Sequence, residues 1–306
     1  MTQVRLDGQV ALVTGAGRGL GRAHAMLLAE RGAHVVVNDI GASTDGSGGE
    51  TGPADEVVAA IVAAGGSAQA STHDITDPDQ ARAMVDLAVS HAGRIDAVVH
   101  NAGILRDRTL VKLAPDDVEA VLDVHLKAAF WTLIPAVAHM RQAGYGRIVL
   151  TASSSGLFGT FGQSNYAAAK MGLVGLMRVL STEGERAGIL VNTVAPSART
   201  RMTEDLLGPL ADKLDPAHVA PLVTWLCSPA CTFGNRIFSA GGGRYASVFL
   251  GLTPGWTKSG EGVASPEEIG AQMAQILETD GFTVPRSGTD ELEVMLAALA
   301  GREEAQ

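Results

Sequence analysis

Ser153, Tyr166 and Lys170 are the residues whose types and spacing point most directly to chemistry in this 306-residue chain. They lie in or beside the stretch SSSGLFGTFGQSNYAAAK, where the pattern Tyr166-x-x-x-Lys170 puts the two side chains one turn apart if 164–187 is helical. An ammonium group then reaches the edge of a phenol. A free tyrosine titrates near pH 10, about three units too high for a base at neutral pH, and a fixed cation favours the phenolate. Each unit of lowering needs about 1.4 kcal/mol of differential interaction. Ser153, at the end of the preceding strand, is placed to hydrogen-bond the same substrate oxygen. The trio suits moving a proton on or off a carbonyl or carbinol oxygen, not hydrolysis. A surface tyrosine on an alanine-rich helix would give the same five-residue pattern by chance, so the rest of the chain decides.

Something must hold these groups, and the N-terminal third supplies the frame. VALVT at 10–14 is a short apolar run with the character of a buried strand. Gly15 opens a glycine-rich turn that runs through Arg18, Gly19, Leu20 and Gly21 into the amphipathic run AHAMLLAERGA. Glycines at the mouth of a helix let a phosphate approach backbone N–H groups at the positive helix end. The next strand, HVVVND, ends on Asp39, placed where an acid meets the ribose hydroxyls of a bound dinucleotide. A carboxylate there repels a 2′-phosphate and favours NAD(H) over NADP(H), whereas Arg18 would attract that phosphate. Asp39 carries more weight because the clash is a close like-charge contact. The bland alternative makes Asp39 a turn former before Gly41.

Further along, 40–53 is a glycine- and serine-rich loop, followed by a helix and a third strand ending at Asp74, with Ile75 after it as a further cofactor-binding candidate. Asp74 either bonds an adenine amino group or caps the helix that starts near Pro78. A fourth strand ends in Asn101, Ala102 and Gly103, small residues of the kind a backbone packed on a flat cofactor needs. A long helix over 115–143, a fifth strand leading to Ser153, the Tyr166 helix, a sixth strand closing at Pro196 and a seventh strand, RIFSAGG, complete the alternation. ARTRMTEDLLGPL lies where a lid over a nicotinamide would belong. The expected fold is α/β, a Rossmann-type doubly wound sheet of seven parallel strands with helices on both faces.

Composition narrows the partners. A net charge of −10 argues against nucleic acid and anionic membrane surfaces. Cys227 and Cys231 are too few for a disulfide framework or a four-cysteine zinc site, so buried free thiols are expected and no metal. No apolar run approaches the 18 or so residues of a membrane span, and MTQVRLDGQV has no secretory pattern. A soluble, cytoplasmic protein is the expectation.

The glycine pattern at Thr14–Gly21, Asn101-Ala102-Gly103, Ser153 and Tyr166-x-x-x-Lys170, in that order, resembles the short-chain dehydrogenase/reductases over residues 6 to about 243. The resemblance implies Tyr166 as general acid/base, Lys170 as the residue that lowers its pKa and binds the nicotinamide ribose, and Ser153 as the group orienting the substrate oxygen. It implies Gly15, Gly19 and Gly21 around the pyrophosphate, Asp39 on the adenosine ribose, Asp74 and Asn101 along the cofactor, and Thr200, after Pro196, on the carboxamide. Two positions depart from the family pattern. His125 stands where an asparagine usually completes a proton relay, and Ser197 replaces the glycine after Pro196. These departures, with NAGILRDR and GTFGQSNY, resemble one branch, the (3R)-hydroxyacyl-CoA dehydrogenase part of the type 2 peroxisomal multifunctional enzymes. His125 would then relay protons through its ring or a bound water, or serve only as packing.

The resemblance implies NAD-dependent oxidation of a (3R)-hydroxyacyl-CoA, of which steroid-side-chain esters are one class. The alternatives are a hydroxysteroid dehydrogenase acting on a ring hydroxyl and a non-catalytic NAD(H)-binding scaffold. A homodimer or homotetramer is expected. Residues 1–243 form the dinucleotide-binding domain and 244–306 an extension packed on it. In that extension Ser265-Pro-Glu-Glu268 predicts a capped helix start, and Ile269, Met273, Ile276 and Leu277 its apolar side.

Overall fold

The computed structural model describes residues 3–49, 52–199, 213–260 and 262–303. The chain divides into two compact units, Met1–Ser247 and Val248–Gln306.

In the first unit, short β-branched runs form the strands β1 (Val10–Thr14), β2 (His34–Asn38), β3 (Ser67–Ser71), β4 (Ala97–His100), β5 (Gly146–Thr151), β6 (Ile189–Pro196) and β7 (Arg236–Gly241). Every residue of β1, β2, β4 and β5 is buried, as expected of parallel strands covered on both faces. β3, at the edge, reads SAQAS and buries only its last residue. The sheet order is β3-β2-β1-β4-β5-β6-β7-β8. An eighth strand, β8 (Arg244–Val248), was not expected as part of the sheet. Gly242 and Gly243 both take left-handed backbone, φ +57° and +80°, which makes a two-residue hairpin that returns the chain antiparallel beside β7.

Helices α1 (Gly19–Glu30), α2 (Pro53–Ala63) and α8 (Ala220–Cys227) pack together, as do α3 (Pro78–Ala92) and α5 (Ala128–Ala143). α7 (Ser164–Gly184) lies against α4 (Pro115–Leu122) and against the short α6 (Ser154–Phe158). Leu28, Val35, Val37, Ile61, Val99 and Leu226 belong to one apolar core between the sheet and the α1 side. Cys227 and Cys231 are buried free thiols within it.

The expected long helix over 115–143 is interrupted. Residues Asp123–Lys127 form a π turn between α4 and α5. Among the described residues the run Pro115–Ala143 alone is long and apolar enough, by length and composition, to pass for a membrane-crossing helix. Ala128, Ala129, Leu133, Ala136 and Met140 of α5 are buried inside the unit, the pattern of a core helix.

In the second unit Phe249 stacks on Phe282 with ring centroids 5.4 Å apart, and Leu252 pairs with Thr283 through backbone bonds of 2.9 and 2.8 Å. Ser265 caps α9 (Pro266–Ala271) as expected: Glu268 N–H donates to its hydroxyl at 3.2 Å, and its own N–H donates to the Glu268 carboxylate at 2.8 Å. The expected single helix breaks at Gln272 and resumes as α10 (Met273–Ile276). Its apolar positions are not a closed core, since Ile269, Met273 and Leu277 are 37%, 41% and 67% exposed. α11 (Gly288–Glu303) ends the described chain.

Candidate active site

The carboxyl ends of β1, β4 and β5 meet where the strand order reverses, the place in an open α/β sheet where a crevice forms. At the end of β1, Gly15 takes φ +63°, and a β-carbon on it would stand 2.7 Å from Ala102 Cα. The turn is therefore glycine partly because β4 lies so close. Arg18 is the extended N-cap residue of α1 and makes no side-chain cap bond, and Gly19, Leu20 and Gly21 form the first turn. That leaves a helix end suited to an anion.

Asp39 follows β2 and is fixed by backbone amides. Its carboxylate accepts from Gly17 N–H at 2.8 Å and from Gly41 N–H at 2.7 Å. Asn101, expected along the cofactor, bonds the glycine turn itself. Its side-chain amide donates to the carbonyls of Thr14 and Gly15, both at 3.1 Å, and so braces the glycine turn against β4. Thr14 completes the brace, its hydroxyl accepting from the N–H groups of Asn101 and Ala102 at 3.0 and 3.2 Å. Asp74 does not cap α3. Asp77 does, accepting from Asp79 and Gln80 N–H, while Asp74 accepts from Thr76 N–H and hydroxyl, both at 2.8 Å. Ile75 is buried beside it, and Pro196 ends β6. Thr200 and most of the expected lid lie outside the described residues.

Ser153, Tyr166 and Lys170 come together at the end of β5. Ser153 has extended backbone and caps α6 by accepting from Ser155 N–H at 3.1 Å. Lys170 is 2% exposed; its Nζ donates to the Thr151 carbonyl at 2.6 Å and lies 5.6 Å from the centroid of the Tyr166 ring. Burial pushes the Lys170 ammonium down to about 7. Burial also pushes the Tyr166 phenol up; the neighbouring Ser153 hydroxyl opposes this, and the charge of Asp107 adds to it. Desolvation of the phenol is the largest of these effects, so the direction is opposite to the lowering expected from the spacing of Tyr166 and Lys170.

His125 sits in the π turn, 1% exposed. Its Nε2 is 3.0 Å from Ile104 N and 2.8 Å from Ile104 O, and its ring stands edge-on to Tyr166 at 5.0 Å and 88°. A β-carbon on Gly103 would fall 2.2 Å from His125 Cε1, so the ring fills the space above the Asn101–Gly103 turn. Burial, then Lys170, hold the imidazole well below its ordinary pKa, which keeps it neutral.

Three contributors escaped sequence inspection. The Thr151 carbonyl is backbone and carries no residue signal. Asp107 and Gln163 form a strut beside the site, with Gln163 Nε2 donating to Asp107 at 2.6 Å and the Ser155 hydroxyl donating to Gln163 Oε1 at 2.7 Å. Both stand in the two motifs singled out for their resemblance, NAGILRDR and GTFGQSNY, which was the available signal.

Comparison with known proteins places the chain among oxidoreductases. The family model for short chain dehydrogenases matches residues 9–208. A short-chain type dehydrogenase/reductase of Mycobacterium tuberculosis is 43% identical over 280 residues, 91% of this chain and 97% of the relative. The peroxisomal multifunctional enzyme type 2 of Mus musculus is 46% identical over 78% of this chain, which spans 32% of that longer protein. The hydroxyacyl-CoA dehydrogenase ChsB1 of M. tuberculosis is 41% identical over 75% of this chain and 76% of the relative. The structure of full-length peroxisomal multifunctional enzyme type 2 from Drosophila melanogaster superposes with a TM-score of 0.82 at 34% identity, covering 97% of this chain and 50% of that one.

Proposed function

Because the chain belongs to the short-chain dehydrogenase family, whose members bind NAD(P), we propose that it oxidises a (3R)-hydroxyacyl-CoA to the 3-oxoacyl-CoA with NAD as the hydride acceptor. The observation that carries this is the convergence of Ser153, Tyr166 and Lys170 at the end of β5 beside a helix N-terminus. The relatives named for hydroxyacyl-CoA and multifunctional enzyme activity support the substrate class.

When bound, the dinucleotide supplies a site that takes the hydride from C3. Ser153 holds the substrate oxygen through its hydroxyl. Tyr166 exchanges the proton at that same oxygen: as phenolate it receives the hydroxyl proton during oxidation, and as phenol it returns one during reduction. Lys170, held near neutrality by burial, steadies the buried corner through Thr151. His125 acts as a neutral strut rather than a titrating relay, since its Nε2 is engaged by Ile104. The upward shift of Tyr166 keeps the phenol protonated at neutral pH, so oxidation should climb with pH while reduction fades.

Asp39 supports NAD over NADP, because the Gly17 and Gly41 amides fix a carboxylate beside the glycine turn, which would repel a 2′-phosphate brought there. Phe130, Ile134 and Val179 on α5 and α7 are 41%, 57% and 56% exposed and support a symmetric homodimer or homotetramer through these helices. The test is a panel of straight-chain and steroidal (3R)- and (3S)-hydroxyacyl-CoA esters and free hydroxysteroids with NAD⁺ and NADP⁺. Preference for a free hydroxysteroid would contradict the thioester assignment.

A further inference from the structure

Behind His125 stands a second buried histidine. His100 is the last residue of β4, 1% exposed, and directly precedes Asn101. Its Nε2 lies 3.1 Å from the carbonyl oxygen of His125. A carbonyl only accepts, so Nε2 carries the proton and Nδ1 is a bare nitrogen. That Nδ1 is buried without a partner. Burial, then the charge of Lys170, push the imidazole down to about 4, so this one tautomer is also the neutral form at working pH.

The carbonyl it meets belongs to the π turn at Asp123–Lys127. Widening a helix to i→i+5 bonding displaces carbonyls from their α-helical donors, and such turns need an outside reason to persist. The N–H of His100 is one. His125 contributes both the carbonyl that is held and the ring that meets Tyr166 edge-on at 5.0 Å. Gly103 leaves room for that ring, since a β-carbon there would approach Cε1 to 2.2 Å. A hydrogen bond at the back of the turn therefore sets the position of a ring at its front.

We propose that His100 is a positioning residue for the acid–base tyrosine: its Nε2–H holds the π turn open, and the π turn sets the His125 ring against Tyr166. This rests on the assignment of proton transfer to Tyr166. In an α-helical register the His125 ring would rotate away from Gly103 and leave the phenol unsupported on that edge. Asn101, next to His100, is bonded separately to Thr14 and Gly15, so cofactor binding should be little affected.

The experiment compares wild type with His100→Phe, which keeps bulk and removes the donor, and His100→Gln, whose amide reaches about as far as Nε2. In His100→Phe, kcat should fall by about 10²-fold, the scale of an ångström's misplacement, with the Kd for NADH changed less than about threefold. His100→Gln should recover most of kcat. Equal losses in both variants, or wild-type kcat in His100→Phe, would overturn the proposal. If His100→Phe does not fold, His100→Gln and the ¹⁵N NMR signals of wild-type His100 decide. A neutral Nε2–H tautomer from pH 5 to 8 is expected, and an Nδ1–H tautomer or an imidazolium contradicts it. Tyr166→Phe run in parallel separates the two ideas: full turnover there defeats the tyrosine assignment, whatever His100 does.

Discussion

The cradle at the ends of β1, β2 and β4 and the proton-transfer corner at the end of β5 are built by opposite means. In the cradle the polar side chains are already bonded to backbone: Asp39 to two amides, Asn101 to two carbonyls, Thr14 to two amides. Such bonds fix shape without shifting protons. In the corner, Lys170, His125 and His100 are buried with few partners, and desolvation moves all three toward the neutral form. Tyr166 is moved the same way. One region is preorganised by hydrogen bonds; the other is tuned by exclusion of water.

Substitutions should separate the two regions. Tyr166→Phe should cost about 10²–10⁴-fold in turnover and leave NADH titration nearly unchanged, because only the proton-exchanging oxygen is removed. Comparable losses in both would mean that the corner and cradle are not separable.

Lys170→Met should abolish most activity and yet stabilise the fold. The folded Lys170 sits near 7 against an ordinary 10.5, so the unfolded chain binds the extra proton between those values, and this group's contribution to stability rises with pH across that window. The gain from methionine should be largest at or below pH 7 and shrink toward pH 10.5. Thermal melts at pH 6 and pH 10 check the sign, and a uniform loss at both would show the Thr151 bond to outweigh burial.

Asp39→Ala should narrow the NAD⁺ over NADP⁺ preference by about tenfold or more, the scale of one close like-charge contact near a protein surface. Wild-type preference for NADP⁺ would hand the discrimination to Arg18. The smallest effect is expected from Asp107→Asn. Removing a negative charge that raises Tyr166 should shift the alkaline rise of the oxidation rate to lower pH by less than about one unit, with kcat at its plateau little changed. An unshifted profile would place Asp107 outside the electrostatics of the phenol.

The same contrast explains what could be inferred before the structure. Strand and helix order followed from apolar runs and glycine turns: β6 closes at Pro196 and α7 begins at Ser164, as expected. Ser265 caps α9 with the expected reciprocal bonds because capping depends on residues three apart. Side-chain-to-backbone bonds across the sheet were hidden, since the partner of Asn101 or Lys170 is a carbonyl and every residue has one. Asp77 rather than Asp74 caps α3 because two carboxylates three apart present the same local signal. The π turn at Asp123–Lys127 was hidden as well, for its cause lies on β4, at His100. The sign of the Tyr166 shift was misjudged because spacing displays a nearby cation but not burial.

The most direct test of the proposed activity is the initial rate of NADH formation with enantiomerically pure 3-hydroxyacyl-CoA and NAD⁺, across pH. Turnover of the (3R) ester that rises toward alkaline pH and disappears in Tyr166→Phe is the predicted result. Turnover of the (3S) ester alone, or (3R) turnover that survives in Tyr166→Phe, would contradict it.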